Sequence, residues 1–164
     1  MRGYFGIGVY RAKTEENVGT LWRSAFLYGA SFIFTIGARY KHQATDTVKS
    51  YRHIPLWTFP CYEEFQGHIP YGSQVVCIEL HEKARSLPET HHPQQAIYLL
   101  GSEDDGLPEE ILYGKQTIQI PTLLPHSMNV AVAGTLVMYD RYVKSGFCPT
   151  NIDSAIDLQA PPTV

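Results

Sequence analysis

Three short segments of the chain are almost entirely apolar, and this feature constrains the fold most strongly. They read SFIFTIG from Ser31 to Gly37, QVVCIEL from Gln74 to Leu80, and AIYLLG from Ala96 to Gly101. An apolar run of this length without alternation is typical of a parallel strand that is covered on both faces. Further strands are expected at Tyr4–Tyr10 and in the segment TIQIP. The sequence therefore predicts an α/β fold with an open, mostly parallel sheet and helices on both faces.

Helices are expected between and after these strands. The spacing of apolar residues predicts a first helix from about Val18 to Tyr28. The proline-interrupted stretch that follows supports only a short strand near Leu56–Phe59 and a short helix near Tyr62–Gln66. Another helix is expected from near Pro108, and a long apolar helix within Ser127–Gly146. No strand is predicted in the polar stretch SLPETHHPQQ.

Length and composition indicate one globular domain. A chain of 164 residues can bury a core of its own, and the tail Asn151–Val164, with few large apolar residues, is expected to be peripheral or partly disordered. The net charge of −3 argues weakly against extensive coating of nucleic acid, although a local basic patch remains compatible with it. Three separated cysteines and no membrane-length apolar run or signal peptide predict a soluble, cytoplasmic protein.

The first segment with chemical potential is NVGTLWRSAFLYGA, at the start of the first predicted helix. Asn17 is a good helix N-cap residue, so a capping role is one interpretation. Arg23 stands among apolar and aromatic residues, where a guanidinium facing a cleft would suit phosphate or carboxylate recognition. A solvated surface position is equally compatible with Arg23 taken alone.

The second segment, LLGSEDDGLPEE, follows a predicted buried strand. Gly101 and Gly106 bracket a tight turn at the carboxyl end of that strand, which is where open α/β sheets bind ligands. Glu103 supplies an acceptor within the turn. The alternative is an acidic loop in which Asp104 and Asp105 lie near the positive end of the next helix. The segment is not a phosphate-binding loop, because it lacks the GK[ST] sequence.

The third segment, IPTLLPHSMNVAVAG, joins a strand end to the last helix. Pro121 and Pro125 make this loop stiff and leave its carbonyl groups free to accept hydrogen bonds. Ser127 is interpreted either as the N-cap of the last helix or as a site residue, and Asn129 forms the second half of the same polar pair. His126 is interpreted as a surface residue and not as a base.

Other catalytic classes find little support. The chain has no HExxH or CxxC spacing, so a metal site is not expected, and it has no GxSxG nucleophile elbow. A dinucleotide-binding fold would require GxGxxG after the first strand, and only a GIG lies inside that strand.

Taken together, the three segments resemble the motif set of the SpoU-type (TrmH-like) RNA 2′-O-ribose methyltransferases of the SPOUT superfamily. The resemblance extends from Gly3 to about Gly146. It implies that residues 1–150 form a single SPOUT methyltransferase domain whose C-terminal part makes a deep trefoil knot. It also implies S-adenosylmethionine as the cofactor, RNA as the substrate and a homodimer with active sites near the subunit interface, without a metal.

The resemblance also assigns residues. The catalytic set that it implies is Asn17, Arg23, Glu103, Ser127 and Asn129. The implied cofactor-binding set is Leu80, Leu100, Gly101, Ile120, Pro121, Ser127 and Met128, the last replacing the leucine usual in the family. The family residue that matches Arg23 is proposed to activate the ribose hydroxyl. Because arginine stays protonated, we favour a role in which Arg23 holds the target phosphate and polarises the hydroxyl.

The expected substrate is a small structured RNA. No counterpart of the family's additional N-terminal RNA-binding domain is expected, which favours tRNA over rRNA. Candidate basic contacts are Arg11, Lys13, Arg39, Lys41, Lys49 and Arg52. Two alternatives stay open: methylation of rRNA or of a base by the same fold, and a catalytically silent knotted module that binds RNA.

Overall fold

The structure is a computed structural model that describes residues 3–38 and 52–146. Within these ranges the strands are β1 Tyr4–Tyr10, β2 Phe32–Ile36, β3 Leu56–Phe59, β4 Gln74–Ile78, β5 Arg85–Ser86, β6 Gln95–Leu100 and β7 Gln116–Gln119. The α-helices are α1 Glu15–Leu27, α2 Tyr62–Gly67, α3 Glu109–Leu112 and α4 Val130–Lys144, and a 3-10 turn covers Leu87–Glu89.

The described strands form one seven-stranded sheet in the order β3-β2-β1-β6-β4-β7-β5. Every neighbouring pair is parallel; in β1, for example, Gly6 is in register with Phe32 of β2 and with Ile97 of β6. All carboxyl ends of the strands therefore lie along one edge. This confirms the predicted parallel α/β sheet for the described residues.

The central strand β1 shows why both faces of the sheet are buried. Phe5, Ile7 and Val9 point to the face covered by α1 and α4 and are at most 4% exposed. On the other face the strand carries Gly6 and Gly8, where a Cβ atom would overlap the rings of Phe32 and Phe34. The glycines thus make room for large aromatic rings from β2, in the layer that includes α2 and α3.

Helices α1 and α4 pack closely on the same face of the sheet. A Cβ atom at Gly134 of α4 would lie 2.5 Å from Cδ1 of Leu21 in α1, so glycine permits the close approach. The hydroxyl groups of Thr135 and Ser24 are 2.8 Å apart across the same contact. This packing brings the first turns of the two helices together at the carboxyl edge of the sheet.

The far end of α4 is fixed to the chain around the 3-10 turn. Arg141, which is 8% exposed, donates to the carbonyl oxygens of Pro93 and Gln94 at 2.7 and 3.0 Å. Lys144 donates to the carbonyl oxygens of Leu87 and Thr90 at 2.7 and 3.0 Å. These bonds satisfy carbonyl groups that would otherwise be left without partners beside a packed helix.

Several element boundaries differ from the sequence predictions. Helix α1 begins at Glu15, three residues before the predicted start, and the helix predicted from near Pro108 has only four residues. Strand β5 begins at Arg85 and reaches the polar stretch, for which no strand is predicted, only with Ser86; its two residues pair with β7. An edge strand this short leaves no hydrophobic pattern. The predicted tail, Asn151–Val164, lies outside the described residues.

Candidate functional site

Several polar and charged side chains surround a cleft at the carboxyl edge of the sheet. The cleft follows the ends of β4, β6 and β7, and its walls come from residues 78–80, 100–103, 119–120, 122 and 126–128 with part of α4. Its empty volume is about 570 Å³, including the solvent at its mouth. Ligands of open α/β sheets bind at this edge, so the position agrees with the sequence-based expectation.

The cleft collects most of the residues that the resemblance assigns to cofactor binding. Its lining includes Leu80, Leu100, Gly101, Ile120, Ser127 and Met128. Pro121 is not part of the lining, although both of its neighbours, Ile120 and Thr122, are. The structure thus brings residues of the three loops together around one cleft, with Pro121 outside its lining.

The N-terminus of α4 is capped by Asn129. Its Oδ1 atom accepts hydrogen bonds from the backbone N–H groups of Ala131 and Val132 at 3.0 and 3.3 Å. The interpretation of Ser127 as the cap is therefore wrong, because the helix begins at Val130 and only the residue directly before it has cap geometry. Ser127 lies two residues earlier, in the cleft wall.

A chain of side-chain hydrogen bonds links the three motifs. The Nδ2 atom of Asn129 donates to Oδ1 of Asn17 at 2.9 Å, and Nδ2 of Asn17 donates to Oε1 of Glu103. Asn17 lies in the first turn of α1 and not at its N-cap, a position held by Thr14 without a side-chain cap bond. The capping interpretation of Asn17 is therefore wrong. This amide relay holds the Glu103 carboxylate against both helices.

The second carboxylate oxygen of Glu103 is buried beside the cleft. Oε2 is buried and has no hydrogen-bond partner among the described residues, and Glu103 lines the cleft. A buried carboxylate oxygen without a donor is costly, so it favours a ligand that supplies one.

The electrostatic character of the cleft is acidic. Its lining contains the carboxylates of Glu79 and Glu103 and one histidine, His126, but no Lys or Arg. Such a wall repels phosphate groups and attracts cations and hydrogen-bond donors. His126 is exposed, as predicted for a surface residue, yet it also borders the cleft.

Arg23 stands apart from the other four residues of the predicted catalytic set. It is exposed on α1, does not line the cleft, and forms no hydrogen bond or ion pair with the described residues. Six helical positions separate it from Asn17, which amounts to roughly 9 Å along the axis and about 120° around it. The structure brings Asn17, Glu103 and Asn129 into contact, places Ser127 in the same cleft, and leaves Arg23 outside it.

The predicted basic contacts have diverse surroundings. Lys13 forms an exposed ion pair with Asp104, with 2.6 Å between Nζ and Oδ2, and this hydrogen bond is the main reason that the pKa of Lys13 is raised. Arg11 adopts a φ of 49° and lies over the Tyr10 ring at 5.1 Å, whereas Arg52 is exposed. Arg39, Lys41 and Lys49 lie outside the described residues.

Glu79 is a charged cleft residue that the sequence predictions miss. It follows β4 directly, lines the cleft, and accepts hydrogen bonds from the backbone N–H groups of Leu80 and Leu107. The available signal was its position: a carboxylate directly after the apolar run VVCI falls at the edge where the strand ends meet.

Two further properties concern residues 3–38 and 52–146 alone. None of their helices is long and apolar enough to cross a membrane. No cluster of three or more His, Cys, Asp or Glu side chains in these ranges has an arrangement able to hold a metal ion.

Comparisons with known proteins give consistent matches. A family model described as the SpoU rRNA Methylase family matches residues 5–139. The tRNA (guanosine(18)-2′-O)-methyltransferase of Escherichia coli (strain K12) is 26% identical over 130 residues, covering 76% of this chain and 57% of that protein. The chain therefore spans little more than half the length of the curated relatives that it matches.

Solved structures match over most of the chain. One, from work on the 2-OH methylation of C/U34 on tRNA, is 24% identical with a TM-score of 0.77, covering 88% of this chain and 98% of that one. An AdoMet-bound rRNA methyltransferase from Sinorhizobium meliloti is 22% identical with a TM-score of 0.77, covering 90% of this chain and 59% of that one. At these identities the structural matches show the fold alone.

Proposed function

Because the chain belongs to the SpoU rRNA methylase family, we propose that it transfers a methyl group from S-adenosylmethionine to a ribose 2′-hydroxyl of RNA. The observation that carries the proposal is the amide relay at the edge of the cleft. Asn129, Asn17 and Glu103, one from each motif, are hydrogen-bonded in sequence. A purely structural cap would require only Asn129, so the complete relay favours a functional site.

The charge of the cleft suits the proposed cofactor. S-adenosylmethionine, when bound, supplies an electrophilic methyl carbon on a positively charged sulfur. Glu79 and Glu103 give the wall a complementary negative charge. The residues proposed to hold the cofactor are Leu80, Leu100, Gly101, Ile120, Pro121, Ser127 and Met128.

The chain's own residues have to activate a poor nucleophile. A neutral ribose hydroxyl must be positioned and must lose its proton as it reacts. The unpartnered Oε2 of Glu103 is suited to accept a hydrogen bond from the RNA or the cofactor, and the relay from Asn17 fixes its orientation. Ser127 supplies a hydroxyl group from the opposite loop. The guanidinium group of Arg23 is proposed to hold the target phosphate and polarise the hydroxyl.

We propose a homodimer as the working form. Val132, Leu136, Tyr139 and Val143 recur along one side of α4 and are 36–53% exposed. Spacings of four, three and four residues place them in one stripe, and Leu27 of α1 is a further exposed apolar residue. A second copy of the chain packed on this stripe would bury it. The same contact would provide a partner site for Arg23, which is outside the cleft of its own subunit.

The proposed substrate is tRNA. The Escherichia coli relative is named for guanosine 18 of tRNA, and one similar structure concerns C/U34 on tRNA. Methylation of rRNA is the second candidate, because another similar structure is an rRNA methyltransferase. Both substrates present ribose hydroxyl groups, so the assay below must include both.

We also propose that residues 1–150 form one knotted SPOUT domain and that the protein works in the cytoplasm. The knot is proposed from the family alone; the end of α4 is hydrogen-bonded to the carbonyl groups of Leu87 and Pro93, so this helix lies against the segment before β6. A knot can be tested by pulling the chain from both ends. A tightened knot would make the stretched chain shorter than a fully extended chain of the same number of residues. The free thiols of Cys61 and Cys77 are compatible with a reducing compartment.

The proposed function is tested by methyl transfer with purified protein. Labelled S-adenosylmethionine is incubated with unmodified tRNA or rRNA, and the RNA is digested to nucleosides for mass spectrometry. We expect a 2′-O-methylated nucleoside from tRNA, strongly reduced for Arg23→Lys because lysine lacks the planar fork of donors. Unchanged turnover of Arg23→Lys would contradict the role of Arg23, and label found only on bases would contradict ribose methylation.

A further inference from the structure

We infer that Glu79 is a positioning residue that holds two walls of the cofactor cleft in register. Its carboxylate lies between the end of β4 and the turn after β6. Oε1 accepts a hydrogen bond from the N–H group of Leu80 at 3.0 Å, and Oε2 accepts one from Leu107 at 2.8 Å. Leu80 belongs to one wall and Leu107 follows the other, so one side chain connects both. The identity of the ligand in this inference rests on the proposed function.

The glycines of the acidic turn are fitted to this carboxylate. A Cβ atom at Gly101 would overlap Oε2 of Glu79 and would also lie 2.7 Å from the carbonyl carbon of Gly106. At Gly106 a Cβ atom would lie 2.8 Å from the same Oε2, and the φ of 65° there favours glycine as well. The close approach that these glycines permit is therefore made by Glu79 of the same chain.

The turn between these glycines carries Glu103. Its backbone closes through a hydrogen bond from the Gly106 N–H group to the Ser102 carbonyl oxygen at 3.2 Å. Because Glu79 holds Leu107, directly after this turn, it fixes the turn from the β4 side while Asn17 fixes Glu103 from the α1 side. The position of the Glu103 carboxylate thus depends on both contacts.

The charge of Glu79 is directed to the cleft. No Lys, Arg or His within residues 3–38 and 52–146 forms an ion pair with it, although it lines the cleft. A carboxylate that binds two backbone N–H groups and no cation holds the walls together and adds a negative charge for a cationic ligand. A side chain that only stabilised the loop would not need to line the cleft.

The test compares Glu79→Gln with Glu82→Gln, which removes an equal charge from an exposed residue three positions along the same loop. Two measurements are made: hydrogen exchange of the Leu107 N–H group, and the Kd of S-adenosylhomocysteine by calorimetry. For Glu79→Gln we expect the exchange rate and the Kd each to rise roughly tenfold or more, because a hydrogen bond to a charged acceptor contributes on that scale. We expect KM for S-adenosylmethionine to rise similarly while KM for RNA changes little. Glu82→Gln should match the wild type.

The outcomes separate the two proposals. Faster exchange with an unchanged Kd would make Glu79 a loop brace only and would overturn its positioning role, as would unchanged exchange and Kd together. A wild-type protein that binds no S-adenosylhomocysteine would instead contradict the proposed function, and the role of Glu79 toward that cofactor with it. If Glu79→Gln does not fold, Glu79→Asp keeps the charge with a shorter reach, and the same increases in exchange and Kd are expected.

Discussion

At the scale of single residues, Asn129 has two tasks that the sequence does not separate. Its Oδ1 atom caps α4, and its Nδ2 atom begins the relay to Glu103 through Asn17. The sequence draws attention to Ser127 and Asn129, which are both residue types that can cap a helix. Which of the two caps α4 cannot be decided until the first helical residue is known. The structure fixes that residue as Val130 and thereby divides the pair into a cap and a cleft residue.

Replacement of this pair tests the division of roles. Asn129→Ala should lower the free energy of unfolding by about 1 kcal/mol, the usual cost of losing an N-cap, and should also reduce methyl transfer. Ser127→Ala is the matched control, which should keep wild-type stability and weaken only catalysis or cofactor binding. Urea unfolding and the methyl-transfer assay measure the two effects. A larger stability loss in Ser127→Ala than in Asn129→Ala would contradict the assignment.

His92 predicts a dependence of stability on pH. Its side chain is 5% exposed and lies between Tyr98 and Asp140, at 2.7 and 2.8 Å, close to Arg141 and Lys144. Burial, the largest cause, lowers the pKa of His92, and the charges of Arg141 and Lys144 act in the same direction against the opposing effect of Asp140. The unfolded chain therefore binds the proton first as the pH falls below about 6.5, and the folded state loses stability.

Thermal unfolding at pH 7.5 and pH 5.5 measures this effect. The wild type should lose more stability between these values than His92→Gln, whose neutral amide does not titrate. His91→Gln, one position earlier and not in the network, is the control and should behave as the wild type. Equal pH dependence in all three proteins would show that His92 does not contribute.

At the scale of elements, the strands were predictable and their partners less so. An almost entirely apolar run such as QVVCIEL indicates a strand covered on both faces, and the structure confirms β4 in it. Strand β5 was not predictable, because its pairing depends on β7 and not on its own two residues. Glu79 was not predicted for a related reason. The residues that it contacts, Gly101 and Leu107, come close to Glu79 only when β4 and β6 are paired.

The exposed stripe on α4 gives a prediction at this scale. Tyr139→Glu places a charge in the centre of the proposed dimer contact, where its desolvation would oppose association. We expect a shift from dimer to monomer in sedimentation velocity at micromolar concentration. Gln66→Glu adds the same charge to α2, on the opposite face of the sheet, and should leave the dimer intact. A dimer that persists in Tyr139→Glu would place the subunit contact elsewhere.

At the scale of the whole molecule, the proposed dimer explains why Arg23 lies outside the cleft of its own subunit. Its exposed position on α1, outside the cleft, contrasts with the connected group of Asn17, Glu103 and Asn129. A two-fold dimer uses the same surface of both subunits, so in the proposed dimer α1 of each subunit would face the other subunit. We therefore expect Arg23 to serve the cleft of the partner subunit.

Mixed dimers test this arrangement. Arg23→Ala and Glu103→Ala should each abolish most methyl transfer alone. Dimers formed by unfolding and refolding the two variants together contain one cleft with both residues native if Arg23 acts across the interface, so activity should return. Refolded samples of each variant alone are the controls. Failure of the mixture to recover activity, with mixed dimers demonstrated, would assign Arg23 to its own subunit.

Family membership was accessible from the sequence because three separated motifs occur in the right order, and the match to residues 5–139 confirms it. The order of the motifs in the sequence, however, does not give the distances between their side chains in the fold. The direction of Arg23, the brace made by Glu79 and the bond between Asn17 and Glu103 all arise from the packing of α1 and α4 on one parallel sheet. These contacts connect residues far apart in the chain, so only the folded structure shows them.

The most direct test of the central claim compares the nucleosides of cellular RNA with and without the gene. Total tRNA and rRNA from the two strains are digested separately and analysed by mass spectrometry, and a third strain carries the gene with Glu103→Gln. The proposed function predicts that one 2′-O-methylated nucleoside disappears from tRNA without the gene and is not restored by Glu103→Gln. Unchanged 2′-O-methylation in both RNA pools would contradict it and would favour a protein that binds RNA without modifying it.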